Sequence, residues 1–210
     1  MLTNAVFIAE HARSGTSYSV EPFACAAFLI LAFILAGIVH TAWLRNPVSR
    51  RLAIPLDGGR TWRGKRLFGD NKTVRGFVAI IPAAAVWFFL LAFLIQQHPG
   101  LRARMWPLTL PAYAILGLVA GLGFMLGELP NSLWKRQLGI PPGGTPASSL
   151  LRPIAFAVDR LDSIVGMLLA VSLMTPTPWQ TWLYVALLGP AFHWLFSAVL
   201  FWSGVKSRMS

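Results

Sequence analysis

Two short segments of the sequence carry acidic side chains whose spacing suits divalent cation binding. Asp159 and Asp162 stand three residues apart in the segment DRLDS, so on a helix both carboxylates project from one face. A third acid, Glu128, follows an apolar run and precedes the polar segment LPNSLWKRQ. Hard divalent cations prefer carboxylate oxygens and accept phosphate oxygens as further ligands. The pattern predicts a divalent cation site at these three acids; ion pairs with Arg152 or Arg160 at a helix start are the alternative.

The segment from Pro55 to Gly76, PLDGGRTWRGKRLFGDNKTVRG, holds six basic residues, two acids and five glycines. Glycine lets a backbone take positive φ and approach a ligand closely. Cationic side chains and backbone N–H groups together bind polyphosphate. We therefore predict that Arg60, Lys72 and Arg75 bind phosphate groups. The spacing differs from that of a P-loop, and docking on anionic lipid headgroups is the alternative reading.

The composition indicates that membrane helices position these residues. Of the 210 residues, 56% are apolar and 12% are charged, whereas soluble domains carry roughly 25% charged residues. This excludes an ordinary soluble globule, and the single cysteine, Cys25, excludes a disulfide scaffold. We expect an all-α polytopic membrane protein.

Apolar runs of about 20 residues are long enough for a helix to cross a bilayer. Four runs meet that length without a charged residue, and a fifth meets it if its helix begins near Pro153 and includes Asp159 and Asp162 in its first turns. We predict one membrane domain over residues 1–210 with five spans, at about 22–44, 76–95, 107–127, 153–175 and 179–204.

The distribution of Lys and Arg predicts the orientation of these spans, because cytoplasmic loops carry the excess. With the N-terminus outside, the inner side receives 15 of the 18 basic residues, nine of them in the first loop. Residues 1–21 lack the basic start of a signal peptide and are interpreted as an outer or interfacial leader. We expect a multi-pass cell-membrane protein with its glycine-rich basic loop and its active site on the cytoplasmic face.

The loop and the two polar segments together resemble a known family. DRLDS, preceded by Ser132, Lys135 and Arg136 in a Ser-x-x-Lys-Arg element, resembles the signature of the phosphatidate cytidylyltransferase, or CDP-diacylglycerol synthase, superfamily. The loop is more similar to the CDP-archaeol synthase branch, as are His193 and the GVK segment that ends at Lys206. Residues that match the family's loop are Asp57, Gly69, Asp70, Lys72, Thr73, Arg75 and Gly76.

The resemblance implies that CTP and a membrane lipid phosphate react, with Mg²⁺, to give a CDP-lipid and pyrophosphate. The lipid phosphate would be phosphatidate or an archaeal-type ether lipid phosphate, and no nucleic acid partner is expected. A phosphomonoester is itself an anionic nucleophile near neutral pH, so no Ser or Cys nucleophile is needed. The implied catalytic residues are Asp159, Asp162 and Lys72, with Mg²⁺ on Glu128, Asp159 and Asp162. The implied substrate-binding residues are Arg60, Asp70, Lys72, Thr73, Arg75, Ser132, Lys135 and Arg136.

The sequence departs from the family at three places. Glu128 stands where the family usually has Asp, and Asn71 replaces a glycine of the archaeal branch. Residues 150–152 are Leu, Leu and Arg, where bacterial phosphatidate enzymes carry His-Gly-Gly. His193 is interpreted as a packing residue of the last span, with a kink at Pro190 toward a polar cavity as the alternative.

Two other functions fit parts of the pattern. A CDP-alcohol phosphotransferase also uses acids at the membrane edge, but it needs a second pair of acids, and no acid follows Asp162. A transporter or a lipid-binding scaffold accounts for the basic loop; a scaffold leaves the three acids unexplained, whereas a proton-coupled transporter could use them.

Overall fold

The structure is a computed structural model that describes residues 20–142, 144, 146 and 148–202, with only the helical backbone given for 192–202. Residues 1–19 of the leader, the side chain of His193 and the GVK segment lie outside the described residues. The described chain is mostly helical, which confirms the expected class. Its helices are α1 Pro22–Arg45, α2 Val74–Gln96, α3 Pro99–Arg102, α4 Leu110–Gln137, α5 Leu151–Met174 and α6 Trp179–Trp202, with a 3-10 helix Pro47–Leu52 and strands β1 Thr61–Trp62 and β2 Lys65–Arg66.

Helix starts follow from local capping chemistry. Glu21 accepts hydrogen bonds from the backbone N–H groups of Phe23 and Ala24, and Pro22 occupies the first turn of α1, where its missing N–H costs nothing. Thr109 accepts from the N–H of Ala112 at the start of α4. The apolar runs therefore begin as helices close to the positions expected from the sequence.

Helix α4 ends ten residues beyond Gly127, where the predicted span ended. The prediction stopped there because the following residues are polar. In the structure those polar residues find partners on α5, so the helix continues through Pro130 to Gln137. The loss of apolar character at Glu128 therefore does not mark the end of the helix.

The long helices pack as a ring in which each touches two neighbours. Helix α4 packs between α2 and α5, α1 packs between α2 and α6, and α6 closes on α5. At the end away from the basic loop, the N–H of Glu21 donates to Arg104 O at 2.9 Å and Trp106 Nε1 donates to Pro176 O at 2.9 Å. The apolar core lies toward that end and includes Phe28, Phe88, Trp106, Tyr113 and Leu116.

Glycines allow α4 and α5 to approach closely. A Cβ at Gly166 of α5 would lie 2.7 Å from Cα of Gly127, and a Cβ at Gly123 of α4 would lie 2.5 Å from Gly166 O. Small residues of this kind are typical of tight helix contacts in membranes. The close approach brings the polar end of α4 within hydrogen-bonding reach of the first half of α5.

Large apolar side chains cover the outside of the ring. Leu94, Leu122, Leu173 and Leu187 are all between 42% and 67% exposed, and large exposed apolar surfaces mark contact with lipid or with another protein. Helices α1, α2 and α4 are long and apolar enough to cross a membrane, as judged over the described residues by length and composition. The fold is thus that of a membrane-embedded helical protein.

Candidate active site

The glycine-rich loop folds around the carboxylate of Asp57, which is 4% exposed. Its oxygens accept hydrogen bonds from the backbone N–H groups of Gly59, Phe68 and Gly69 at 3.0 to 3.1 Å, and from Arg66 Nη2 at 2.6 Å. Burial opposes ionisation of this carboxyl, but the bonds from Arg66 and the backbone outweigh burial and hold its pKa well below the usual range. Asp57 is therefore a structural anion that shapes the loop.

A turn and a short pairing then place Lys72 beside the helices. The β1–β2 hairpin reverses at Arg63 and Gly64, which have φ of 51° and 73°. Such values favour glycine at the second position. Farther on, the N–H of Leu56 donates to Lys72 O at 2.8 Å and the N–H of Val74 donates to Ile54 O at 3.0 Å. These two bonds fix the backbone on either side of Thr73 just before α2 begins.

One face of α4 meets one face of α5 through polar groups. Glu128, Asn131 and Lys135 are spaced by three and four residues, so they lie on the same side of α4. Asn131 Nδ2 donates to Asp159 Oδ1 and to Asp162 Oδ2, each at 2.7 Å. Lys135 Nζ lies 2.5 Å from both carboxylate oxygens of Asp159. The two acids of DRLDS are thus held to α4 by an amide and an ammonium group.

The third acid is linked to the loop and to α5. Lys72 Nζ forms an ion pair with Glu128 Oε2, which joins the loop to α4. Ser163 Oγ donates to Glu128 Oε1 at 2.9 Å and also lies 3.2 Å from Asp162 Oδ1. Glu128 and Asp162 are therefore connected through one hydroxyl, and the loop, α4 and α5 form a single polar network.

Arg136 is a buried cation in this region, 8% exposed. Its Nη1 donates to Ile140 O, and its Nε has no hydrogen-bond partner among the described residues. Its side chain passes beside Gly69, where a Cβ would lie 3.5 Å from Arg136 Cδ. A buried guanidinium with a spare donor is suited to bind an oxyanion that comes from outside the chain.

A cavity of about 430 Å³ opens between the loop and α1, α2, α4, α5 and α6. Its polar end is lined by Lys72, Arg75, Glu128, Asp159 and Arg160. Apolar side chains continue the wall into the bundle, among them Phe33, Ile80, Phe124, Ile164 and Met167. The cavity therefore offers charges for an anionic group and an apolar surface for a chain attached to it.

The structure brings most of the sequence-predicted residues together. Lys72, Thr73, Arg75, Glu128 and Asp159 line the cavity. Asp162 and Lys135 do not line it, but they are hydrogen-bonded to Ser163 and Asp159, which do. Arg136 is also outside the cavity lining, on the same helix as Lys135. Ser132 is buried on α4 without lining the cavity.

Two further predicted residues, Asp70 and Arg60, lie outside the cavity and are exposed. The side chain of Asp70 is 76% exposed and pairs with Arg66 Nη1 at 2.9 Å, and Arg60 is exposed on the outer side of the loop.

Sequence reasoning missed the roles of Asn131 and Ser163. Their spacing carried the signal, because Asn131 lies three residues after Glu128 and Ser163 lies four residues after Asp159. Residues at these spacings share a helix face. Within the described ranges, no three His, Cys, Asp or Glu side chains are arranged to hold a metal ion together.

A ring of apolar helices with a charged cavity at one end defines a membrane protein that can take up an amphipathic anion. Comparison with known proteins identifies the family. A family model described as CarS-like CDP-archaeol synthase matches residues 52–209. The chain belongs to the CDP-archaeol synthase family.

Individual relatives agree with this assignment. A CDP-archaeol synthase of Halobacterium salinarum is 35% identical over 193 residues, covering 83% of this chain and 98% of the relative. One of Methanospirillum hungatei is 36% identical over 127 residues, covering 59% of this chain and 66% of the relative. A solved structure of an intramembrane enzyme for archaeal membrane lipid biosynthesis shares the fold, with a TM-score of 0.50 and 23% identity over 84% of this chain and 92% of that one.

Proposed function

We propose that this protein is a CTP-dependent cytidylyltransferase that converts a membrane lipid phosphate to a CDP-lipid and pyrophosphate. The observation that carries the proposal is the cavity, because its charged end and apolar wall match the two parts of a lipid phosphate. Family membership favours an archaeal-type ether lipid phosphate, and phosphatidate has the same chemical groups at the reacting end. Neither a CDP-alcohol phosphotransferase nor a transporter is favoured by the family match.

The proposed reaction is a displacement at phosphorus. An oxygen of the lipid phosphate forms a bond to the α-phosphorus of CTP, and the bond from that phosphorus to the bridging oxygen of the β-phosphate breaks. The bonding pair leaves with pyrophosphate. Such displacements are catalysed mainly by positioning and by neutralising charge. No side-chain nucleophile is needed, and the residues of the cavity are of the required kind.

The basic residues divide into two groups around the acids. Lys72 and Arg75 lie on the loop side, and Lys135 and Arg136 lie on α4. We assign the two groups to the two anionic substrates, since both must lie close together for reaction. Arg136, with its spare Nε donor, is the best placed to bind an oxyanion of either substrate.

Mg²⁺ is part of the proposal, and the convergence of two carboxylates supports it. Asp159 and Asp162 direct one oxygen each at the same point, where Asn131 Nδ2 lies 2.7 Å from both. Carboxylate oxygens that converge in this way suit a hard cation. Glu128, linked to Asp162 through Ser163, is the third proposed acid. When bound, the cation would neutralise charge on the phosphate oxygens of CTP.

We also propose the membrane arrangement. Helices α1, α2, α4, α5 and α6 would be the five spans of a single multi-pass domain in the cell membrane, with the loop before α2 in the cytoplasm and the residues before α1 outside. The support is the excess of basic residues on the loop side of the bundle. This arrangement gives the cavity access to cytoplasmic CTP.

The test is to incubate the purified protein in detergent with CTP, Mg²⁺ and a panel of lipid phosphates with ether-linked prenyl or ester-linked acyl chains. We expect a CDP-lipid, identified by mass, and an equal amount of pyrophosphate. Lys65→Ala serves as a control with an altered exposed cation, since Lys65 lies outside the cavity. Absence of CDP-lipid from every substrate, with folded protein, would contradict the proposed function.

A further inference from the structure

Asn131 occupies an unusual position between two carboxylates. Its Nδ2 donates to Asp159 Oδ1 and Asp162 Oδ2 at 2.7 Å each, which uses both N–H groups of the amide. The orientation of the amide is fixed by chemistry, because ionised carboxylates accept and do not donate. The positive end of the amide dipole therefore lies where a cation shared by the two acids would lie.

The other end of the same amide has no partner. Asn131 Oδ1 is buried, and no donor among the described residues reaches it. A buried acceptor left unpaired costs about 1 to 3 kcal/mol, so this side-chain conformation satisfies the nitrogen at the expense of the oxygen. Rotation about the last side-chain torsion of Asn is broad and roughly two-fold, so the two ends can exchange places.

The neighbouring charged side chains leave room for the amide oxygen of Asn131 as a third metal ligand beside Asp159 and Asp162. Lys72 engages Glu128, and Lys135 engages Asp159, whereas no Lys or Arg of the described chain forms an ion pair with Asp162. The described residues contain no group of three acids or histidines positioned to share a metal. An amide oxygen is a ligand that hard divalent cations accept alongside carboxylates.

We propose that Asn131 changes role with metal occupancy: its amide nitrogen bridges Asp159 and Asp162 in the metal-free enzyme, and its amide oxygen joins them as a ligand when a divalent cation binds. The inference rests on the proposed function only for the presence of the cation. In the metal-free state the amide offsets the repulsion between the two carboxylates. In the bound state rotation replaces two N–H groups facing a cation with one oxygen.

The test measures cation binding in the absence of CTP and lipid. Detergent-solubilised protein is titrated with Mn²⁺, with Mg²⁺ in parallel, and the midpoint of the rise in Tm is recorded, since a ligand that binds only the folded state stabilises it by mass action. Free Mn²⁺ is followed by electron paramagnetic resonance as an independent isotherm. The variants are Asn131→Leu, which keeps approximate volume without an oxygen, and Asn131→Asp, which supplies an additional carboxylate.

We expect Asn131→Leu to raise the Mn²⁺ midpoint by about tenfold or more, the scale of losses around metal sites. Asn131→Asp should lower the midpoint at least several-fold, and it should lower Tm without metal because three carboxylates then repel one another. Gln97→Leu, an amide change at the other end of the bundle, should leave the midpoint unaltered.

An unchanged midpoint in Asn131→Leu overturns the proposal, and so does a parent protein whose Tm and free Mn²⁺ show no binding. If Asn131→Asp does not fold, Asn131→Leu alone decides. The outcome is separable from that of the proposed function. A parent that makes CDP-lipid while Asn131→Leu binds Mn²⁺ normally refutes the role of Asn131 alone, whereas midpoints shifted as expected in a protein that makes no CDP-lipid refute the function alone.

Discussion

Lys72 on the glycine-rich loop and Glu128 on α4 form an ion pair although they stand 56 positions apart in the sequence. Both side chains are about four-fifths buried, at 20% and 24% exposure. The contact fixes the loop against the membrane helices at the rim of the cavity. It also places an ammonium group where it can exchange its carboxylate partner for a phosphate oxygen when substrate enters.

Removal of this ammonium group should reduce activity more than stability. Lys72→Ala removes charge-assisted hydrogen bonds to phosphate, each contributing about 1.5 to 3 kcal/mol. We therefore expect kcat/KM to fall by about tenfold to several hundredfold, since each 1.4 kcal/mol is a factor of about ten. The measurement is CDP-lipid formation with folded protein confirmed by Tm.

Lys65 supplies the matched control for Lys72. It lies in the same loop, but its Nζ donates to Gln137 O at 2.6 Å, outside the cavity. Lys65→Ala should leave kcat/KM within about a factor of three, because exposed contacts contribute little. Equal losses in both variants would mean that the loop acts through its total charge, as in docking on lipid headgroups.

The two acids of α5 should respond differently to loss of charge. Asp159 pairs with Lys135, which is largely buried, so Asp159→Asn leaves that ammonium group without a counterion and should lower both Tm and turnover. Asp162 is held by Asn131 and Ser163, both uncharged. Asp162→Asn should therefore keep Tm within a few degrees while CDP-lipid formation falls at least a hundredfold.

Glu128→Asp gives a finer measurement of the same site. It restores the residue that the family resemblance implies and shortens the side chain by one methylene. If Glu128 is a metal ligand, turnover should be kept or increased.

A stable and fully active Asp162→Asn protein would be incompatible with the proposed metal site.

The close crossing of α4 and α5 predicts a strong effect of added side-chain volume. Gly166→Ala would place a methyl group 2.7 Å from Cα of Gly127, so the helices must separate. Because overpacking costs about 1 to 3 kcal/mol, Tm should fall by several degrees, and turnover should fall as the hydrogen bonds between Asn131 and the acids lengthen.

Gly37 of α1 provides a control for the effect of Gly166→Ala on Tm. A Cβ there has nothing within 4 Å, and alanine in a helix is favoured over glycine by about 0.5 to 1 kcal/mol. Gly37→Ala should therefore keep or raise Tm. A Gly166→Ala protein as stable as Gly37→Ala would contradict the crossing as described.

The sequence was sufficient to predict the helical membrane class and the approximate helix positions. Those features depend on local apolar runs and on caps such as Pro22. The end of α4 at Gln137 was not predictable in the same way. Its last ten residues include polar side chains such as Glu128, Asn131 and Lys135, and these find hydrogen-bond partners on α5, which is distant in sequence.

The residues of the site could largely be predicted from the sequence, whereas the contacts between them could not. Spacing alone placed Asp159 and Asp162 on one helix face, and they share Asn131 as a donor. Spacing could not show that Asp70 and Arg60 lie outside the cavity, because the course of the loop depends on the buried carboxylate of Asp57. The structural role of Asp57 follows from its hydrogen bonds with residues up to 12 positions away in the sequence.

The buried carboxylate of Asp57 should make the stability of the glycine-rich loop depend on pH in the acidic range. Its pKa lies well below the value of about 3.9 found in unfolded chains, so its ionised form is bound more tightly in the folded loop. The stabilisation is complete above about pH 4 and is lost as pH falls through the lower, folded pKa. Hydrogen exchange in the loop, normalised to unstructured peptides, should accelerate only in that acidic window.

Asp57→Asn should remove this pH dependence and loosen the loop at neutral pH. The amide cannot accept from all the N–H groups that the carboxylate satisfies, and Arg66 loses its closest partner. Asp70→Asn removes the exposed partner of the same arginine and should have a much smaller effect. Loop exchange in Asp57→Asn that matches the parent would show that this carboxylate does not organise the loop.

The proposed orientation can be tested with single cysteines at opposite ends of the bundle. Thr61 is exposed on the hairpin, and Gly100 in α3 has open space around a Cβ, so neither substitution should disturb packing. Cys25, the one native cysteine, is buried and should react little. A membrane-impermeant maleimide should label Gly100→Cys in intact cells and Thr61→Cys only after permeabilisation, because basic loops stay in the cytoplasm. The reverse pattern would place the cavity outside, away from cytoplasmic CTP, and would contradict the proposed function together with the orientation.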